Sequence, residues 1–155
     1  MRYIFLLILI FLFFPQVGFS KEILGFAKII DGDTIVINSK KIRLEGIDAP
    51  ETKQKCEKNF KKYYCGKKST KELKKKMSDF LINCSISGVD KYKRYLGTCF
   101  QKKTNLNKWM VRNGYAVAYK RYSGKYIVDE KYAREKRLGL WSGTFIRPEK
   151  WRKLN

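Results

Sequence analysis

Histidine is missing from all 155 residues, which excludes histidine-based catalytic triads, histidine general bases and histidine-ligated zinc. Acidic side chains are few, 14 against 35 Lys and Arg, for a formal charge of +21. The four cysteines contain no Cys-x-x-Cys spacing, and the chain has neither an internal repeat nor a low-complexity segment. Hydrolytic chemistry in such a chain has to run on carboxylates, arginine, lysine, tyrosine and a metal held by oxygen atoms.

The length suits one domain with room for a real core. Residues 1–20 stand apart from it: Arg2 is followed by the apolar run Tyr3 to Phe14, and the segment ends in small residues at Gly18 and Ser20. This pattern predicts a secretory signal cut after Ser20. The alternative is a retained membrane anchor, for which a run of about 12 apolar residues falls short of the roughly 20 needed to cross a bilayer. Export makes disulfides the expected state of the four cysteines. The basic excess attracts polyanions, nucleic acid first among them, with an attraction that weakens in salt. Composition alone leaves open a merely solvated basic face or an anionic membrane surface.

Against that basic background, five of the fourteen acidic residues, Asp31, Asp33, Glu45, Asp48 and Glu51, fall within residues 31–51. Two carboxylates about 4 Å apart repel by roughly 4 kcal/mol at an effective dielectric near 20, so the cluster requires a cation. A metal ion is the cation expected. Arg43, in the same window, is permanently charged and able to grip a phosphate or a carboxylate.

Hydrophobic spacing predicts a strand over 23–30, then a hairpin of Thr34 to Asn38 and Lys41 to Leu44 around Asn38-Ser39-Lys40. That hairpin brings Asp33 and Asp48 to one end. The Lys-rich residues 52–68 lack periodicity and are expected to be an exposed loop. Ser69-x-x-Glu72 reads as a capping box for a helix of about 13 residues carrying Leu73, Met77, Phe80 and Leu81. Asn83 to Val89 and Arg94 to Gln101 form two strands about a turn at residues 90–93. Facing positions then sum to 183, which pairs Cys84 with Cys99 in a cross-strand disulfide contributing about 3 kcal/mol. Cys56 is left to pair with Cys65.

A helix over Asn105 to Asn113 ends at Gly114, a short strand covers Tyr115 to Tyr119, and a last helix covers Tyr126 to Arg137. Trp141 is expected to plug the core and the basic tail from Arg147 to Asn155 to lie at the periphery. The fold class is α+β, mainly β: a five-stranded OB-type barrel with about three helices.

Five segments in this order, Ile30-Asp31-Gly32-Asp33-Thr34, Arg43 to Glu51, Asp90-Lys91-Tyr92-Lys93-Arg94, Val117-Ala118-Tyr119 and Gly139-Leu140-Trp141, resemble the thermonuclease family of staphylococcal-nuclease-like domains, from about residue 25 to 142. The resemblance implies an OB barrel with three helices and a calcium-dependent phosphodiesterase that acts on DNA and RNA with little sequence specificity and leaves 3′-phosphates. It implies Asp33, Asp48 and the carbonyl of Ala49 as Ca2+ ligands, supported by Asp31. Glu51 would be the general base or the orienter of the attacking water, and Arg43 and Arg94 the phosphate clamps. Lys91, Tyr92 and Tyr119 would contact the bound nucleotide. The chain departs from the pattern at Lys93, where the family often has glycine, and at Arg121, which follows Tyr119 where tyrosine is usual; Tyr122 is a possible substitute. A catalytically silent nucleic-acid-binding module on the same barrel is the alternative. The expected state is an exported monomer, periplasmic or extracellular, touching membrane only through its signal segment.

Overall fold

A computed structural model describes residues 21–155; the expected signal segment lies outside the described residues. Among the described residues there are eleven strands, most of them short, beginning with β1 (Lys21–Phe26), β2 (Lys28–Ile29), β3 (Thr34–Ile37), β4 (Lys40–Leu44), β5 (Ile47–Asp48) and β6 (Lys55–Lys58). They continue with β7 (Lys61–Tyr64), β8 (Leu81–Val89), β9 (Tyr95–Gln101), β10 (Thr104–Asn105) and β11 (Val117–Ala118). Helices α1 (Cys65–Met77), α2 (Leu106–Arg112), α3 (Ile127–Glu135) and α4 (Pro148–Leu154) are joined by a 3-10 turn at Gly139–Ser142.

Asn38 and Ser39 both adopt left-handed backbone (φ 48° and 61°) and reverse β3 onto β4, with Ile37 opposite Lys40. Two left-handed residues match the right-handed twist of the strands they join, so the turn is one residue tighter than the expected three. Beyond this hairpin the strand order is β1-β8-β9-β4-β3-β2. The two ends of that path, β1 and β2, are consecutive pieces of one run interrupted at Ala27, so the sheet closes on itself. Counted that way it is a five-stranded OB barrel, with β4 and β9 as its parallel pair.

Alternation does the rest. Ile35 and Ile37 on β3, Ile42 and Leu44 on β4, and Ile82 on β8 point into the barrel and are fully buried. Leu73 of α1 and Leu106 and Met110 of α2 seal it. Each such side chain contributes about 1.5–3 kcal/mol of transfer free energy. Trp141 packs edge-on against Phe145 (4.9 Å) in a satellite cluster with Cys56, Cys65, Val117 and Leu140.

Both disulfides are closed, Cys56 with Cys65 and Cys84 with Cys99. Facing residues sum to 183 from Ile82 to Ile86, then slip by one at a bulge between Ile86 and Gly88. The bulge lengthens the connection to residues 90–94, where Asp90 N–H donates to Arg94 O at 2.9 Å.

Three expectations need correction. Residues 55–64 are not loop but the hairpin β6–β7, turned by left-handed Asn59 and Phe60 and tied by the Cys56 disulfide. Only Cys56 of that hairpin is buried, so no apolar period announces it. Ser69 caps nothing: α1 starts four residues earlier, at Cys65, and Ser69 Oγ donates to Tyr115 O (2.7 Å) from the helix interior, while Phe80 and Leu81 fall beyond the helix. The tail is not peripheral, because it forms α4, a fourth helix that reaches the acidic cluster.

Candidate active site

Asp33 enters β3, and its carbonyl accepts the Leu44 N–H at 2.8 Å, which anchors it across the hairpin from Arg43. Asp48 ends β5, whose pairing with β11 sets Asp48 opposite Val117. The Arg43 guanidinium lies between the two carboxylates: Nη1 is 2.6 Å from Asp33 Oδ2 and Nη2 is 3.3 Å from Asp48 Oδ1, and Nη2 also donates to Ile47 O at 3.0 Å. Asp33 Oδ2 accepts the Ala49 N–H (2.8 Å) and Oδ1 accepts the Thr34 hydroxyl (3.1 Å). Asp33 is 7% exposed and Asp48 only 1%.

Asp31 Oδ1 accepts the Asp33 N–H at 3.0 Å, closing the loop before β3. Gly32 lets this loop approach α1: a Cβ there would lie 2.2 Å from Ser69 Oγ and 2.7 Å from Ala49 Cβ. Burial, with the charge of Asp33 added, pushes the Asp31 carboxyl up to about 6. Burial also raises Asp48, and the nearby Asp33 adds to this, against the opposing pull of Arg152 and Arg43. The crowding inferred from sequence is therefore real, and arginine offsets part of it.

Glu51 is held by its backbone. Its carbonyl accepts the Gln54 N–H (2.7 Å), and Gln54 Nε2 donates to Ile146 O (2.6 Å). On the other side Gly66, in the first turn of α1, presses so closely that a Cβ would come within 1.8 Å of Glu51 O. The side chain meets a residue the sequence did not single out. Arg152 Nη1 donates to Glu51 Oε1 and to Asp48 Oδ1, both at 2.9 Å, and Nη2 donates to Asp48 Oδ2 at 3.1 Å. Burial works against the Arg152 charge, but these bonds outweigh it and hold its pKa above the usual arginine range. Pro148 at the first helical position, Glu149 in the first turn and Arg152 and Lys153 in the last are a readable helix signature. Nothing local says where such a helix docks.

Arg94 stands at the head of β9, beside β4, and its contacts belong to the β8–β9 loop: Nε and Nη2 each reach Asp90 Oδ2 at 2.8 Å. Burial opposes the Asp90 charge, but hydrogen bonds from Arg94 and Tyr92 lower its pKa below the usual range. Tyr92 is 68% exposed, with Lys91 and Arg94 over its ring at 5.0 and 5.5 Å. Tyr119 packs edge-on against Tyr122 (4.8 Å), and its hydroxyl pKa is raised by burial and by the charge of Asp48. Arg121 faces Glu149 instead (3.3 Å). The fold thus gathers Asp31, Asp33, Arg43, Asp48, Glu51 and Arg152 at one place and Lys91, Tyr92 and Arg94 on a loop of their own.

The family described as staphylococcal nuclease homologue matches residues 41–143, which span β4 to the 3-10 turn. The chain belongs to the staphylococcal nuclease family. It is similar to an uncharacterized endonuclease of Haemophilus influenzae, 34% identical over 155 residues and covering 95% of this chain and 82% of that one. Against the micrococcal nuclease of Shigella flexneri the identity is 34% over 147 residues, 83% and 79% of the two chains. Succinoglycan biosynthesis protein ExoI of Rhizobium meliloti is 34% identical over 128 residues, 80% and 67% of the two. Membership of this family, with relatives named as nucleases, supports a nuclease function. Asp33 and Arg152 both lie outside the matched stretch, and it is the fold that joins them to it.

The side-chain donors that converge here are all oxygen, the carboxylates of Asp33, Asp48 and Glu51, beside the backbone of Ala49. Hard oxygen donors of this kind fit calcium rather than a thiophilic metal. The three carboxylates of Asp33, Asp48 and Glu51 face two guanidiniums, so the cluster retains negative charge for a further cation. Among the described residues no three acidic side chains form a finished metal cage, because Arg43 and Arg152 lie between them.

Proposed function

We propose that this chain is an exported, calcium-dependent endonuclease that hydrolyses phosphodiester bonds of DNA and RNA with little sequence preference and leaves 3′-phosphates. One observation carries the proposal: the buried carboxylates of Asp33 and Asp48 converge on the single guanidinium of Arg43, with Glu51 two contacts away through Arg152. Asp33, Asp48 and the Ala49 carbonyl would hold the ion, and Asp31 would support Asp33 through its backbone N–H. Bound calcium would supply positive charge beside the phosphate and make nearby water more acidic.

Glu51 holds the attacking water and accepts or directs its proton. As the new P–O bond forms, the bond to the 5′ oxygen breaks and the departing oxygen takes a proton, leaving a 3′-phosphate and a 5′-hydroxyl. Arg43 and Arg94 grip phosphoryl oxygens as negative charge builds on them; a planar fork of donors matches two oxygens at once, which lysine does not. Tyr92 and Tyr119 stack on bases, and Lys91 faces phosphate. Stacking on any base explains weak sequence preference. The two disulfides agree with an oxidising compartment outside the cytoplasm. End-group analysis of a labelled oligonucleotide tests the chemistry: 3′-phosphate and 5′-hydroxyl ends formed only with calcium are expected, and 5′-phosphate ends contradict it.

A further inference from the structure

Asp48 and Glu51 are already occupied by a cation of the chain's own. A carboxylate offers about four lone-pair directions. Asp48 commits three of them, one to Arg43 Nη2 (3.3 Å) and two to Arg152 (2.9 and 3.1 Å). Arg152 Nη1 at the same time holds Glu51 Oε1 at 2.9 Å. Resting on the calcium reading above, we propose that Arg152 is a displaceable internal cation that sets the calcium affinity of the site. It has to leave Asp48 before the ion is bound, and leaving also frees Glu51.

Helix α4 is built for such a movement. Its base is firm: Arg147 donates to Glu130 Oε2 (2.9 Å) and to Ala118 O (3.3 Å), and Pro148 is buried. Beyond that base the hold is light. Glu149 meets Arg121 and Lys153 at 3.3 and 3.5 Å on the surface, and Lys153, Leu154 and Asn155 are exposed. Seven residues are too few for a helix to persist in water by itself, so α4 depends on its docking contacts, of which the Arg152 bonds are the most numerous at its far end. Calcium at Asp48 therefore competes directly with the docked α4. When the competent state is a minor fraction, the apparent dissociation constant is the intrinsic one divided by that fraction, so a site open one time in ten binds about tenfold more weakly.

The test is calcium titration by calorimetry on the full oxidised chain and its Arg152→Gln variant, with amide hydrogen exchange of residues 148–154 followed alongside. Arg152→Gln should bind calcium about tenfold more tightly. In the unsubstituted protein, saturating calcium should speed exchange across α4. Arg152→Lys, which keeps a charge but loses the two-pronged grip, should fall between and guards against a folding defect in the first variant. Equal or weaker binding by Arg152→Gln, or unchanged α4 exchange, overturns the proposal. Absence of calcium binding in every variant overturns the calcium reading itself, an outcome distinct from a failed competition.

Discussion

Glu130 Oε2 accepts a hydrogen bond from Arg147 at 2.9 Å, and the same carboxylate accepts the Ala118 N–H (2.9 Å) and pairs with Lys120 (2.9 Å). One side chain, 1% exposed, thereby ties α3 to β11 and to the base of α4. Because β11 pairs with the strand that carries Asp48, this knot holds the site from behind.

Replacing Glu130 with Gln leaves Arg147 short of its partner in a half-buried place. Because Arg147 and Lys120 stay open to solvent, the loss is about 1–3 kcal/mol. Urea unfolding should show that loss. Burial raises the Glu130 pKa, but the bonds from Arg147 and Lys120 outweigh it and leave it below the usual range. Its contribution is therefore fully present above the unfolded value near 4.3 and disappears as pH falls through the lowered folded value. The stability gap between Glu130→Gln and the parent should be flat from about pH 6 to 8 and narrow below pH 4; a gap that widens on acidification contradicts this.

Arg43→Lys and Arg94→Lys should each lower turnover by about 10²–10³ while nucleotide binding persists, since loss of an aimed donor falls on the transition state. The two differ in stability. Arg43 is wedged between two buried carboxylates and its loss should lower the melting temperature, whereas Arg94 is bound only within its loop. Kinetics and thermal melts on both variants separate the effects.

Gly66→Ala should damage the site without touching a charged group. Its Cβ would lie 1.8 Å from the Glu51 carbonyl, an approach backbone cannot absorb without moving. A fall in turnover larger than the fall in substrate affinity is the expected split; unchanged kinetics would show that Glu51 need not be held where it is.

Apparent substrate affinity should fall linearly on a log–log plot against salt, with a slope close to the number of phosphates contacted, and Lys91→Ala should reduce that slope by about 1. A salt-independent Michaelis constant would remove the basic surface as the substrate track.

What was legible in the sequence followed local rules. The count across the turn pairs Cys84 with Cys99, although next to the turn Val89 faces Tyr95, one residue out of that register; the bulge between Ile86 and Gly88, which lies between the turn and the disulfide, brings the register back. Asp33 and Asp48 were brought together by one hairpin, a short-range event. Arg152 was not legible, because its bond to Asp48 spans 104 positions and depends on where α4 docks. The β6–β7 hairpin was hidden because it buries almost nothing and relies on a disulfide instead of an apolar face. Ser69 misled for the opposite reason: a good capping pattern lost to a helix start set by the hairpin before it.

Cleavage of single-stranded DNA by the oxidised protein, with calcium, with a chelator and as Glu51→Ala, tests the central claim most directly. Cleavage that requires calcium and collapses by at least about a hundredfold in the variant is predicted. Tight binding of DNA with no cleavage under any condition would contradict it and leave the barrel as a nucleic-acid-binding module.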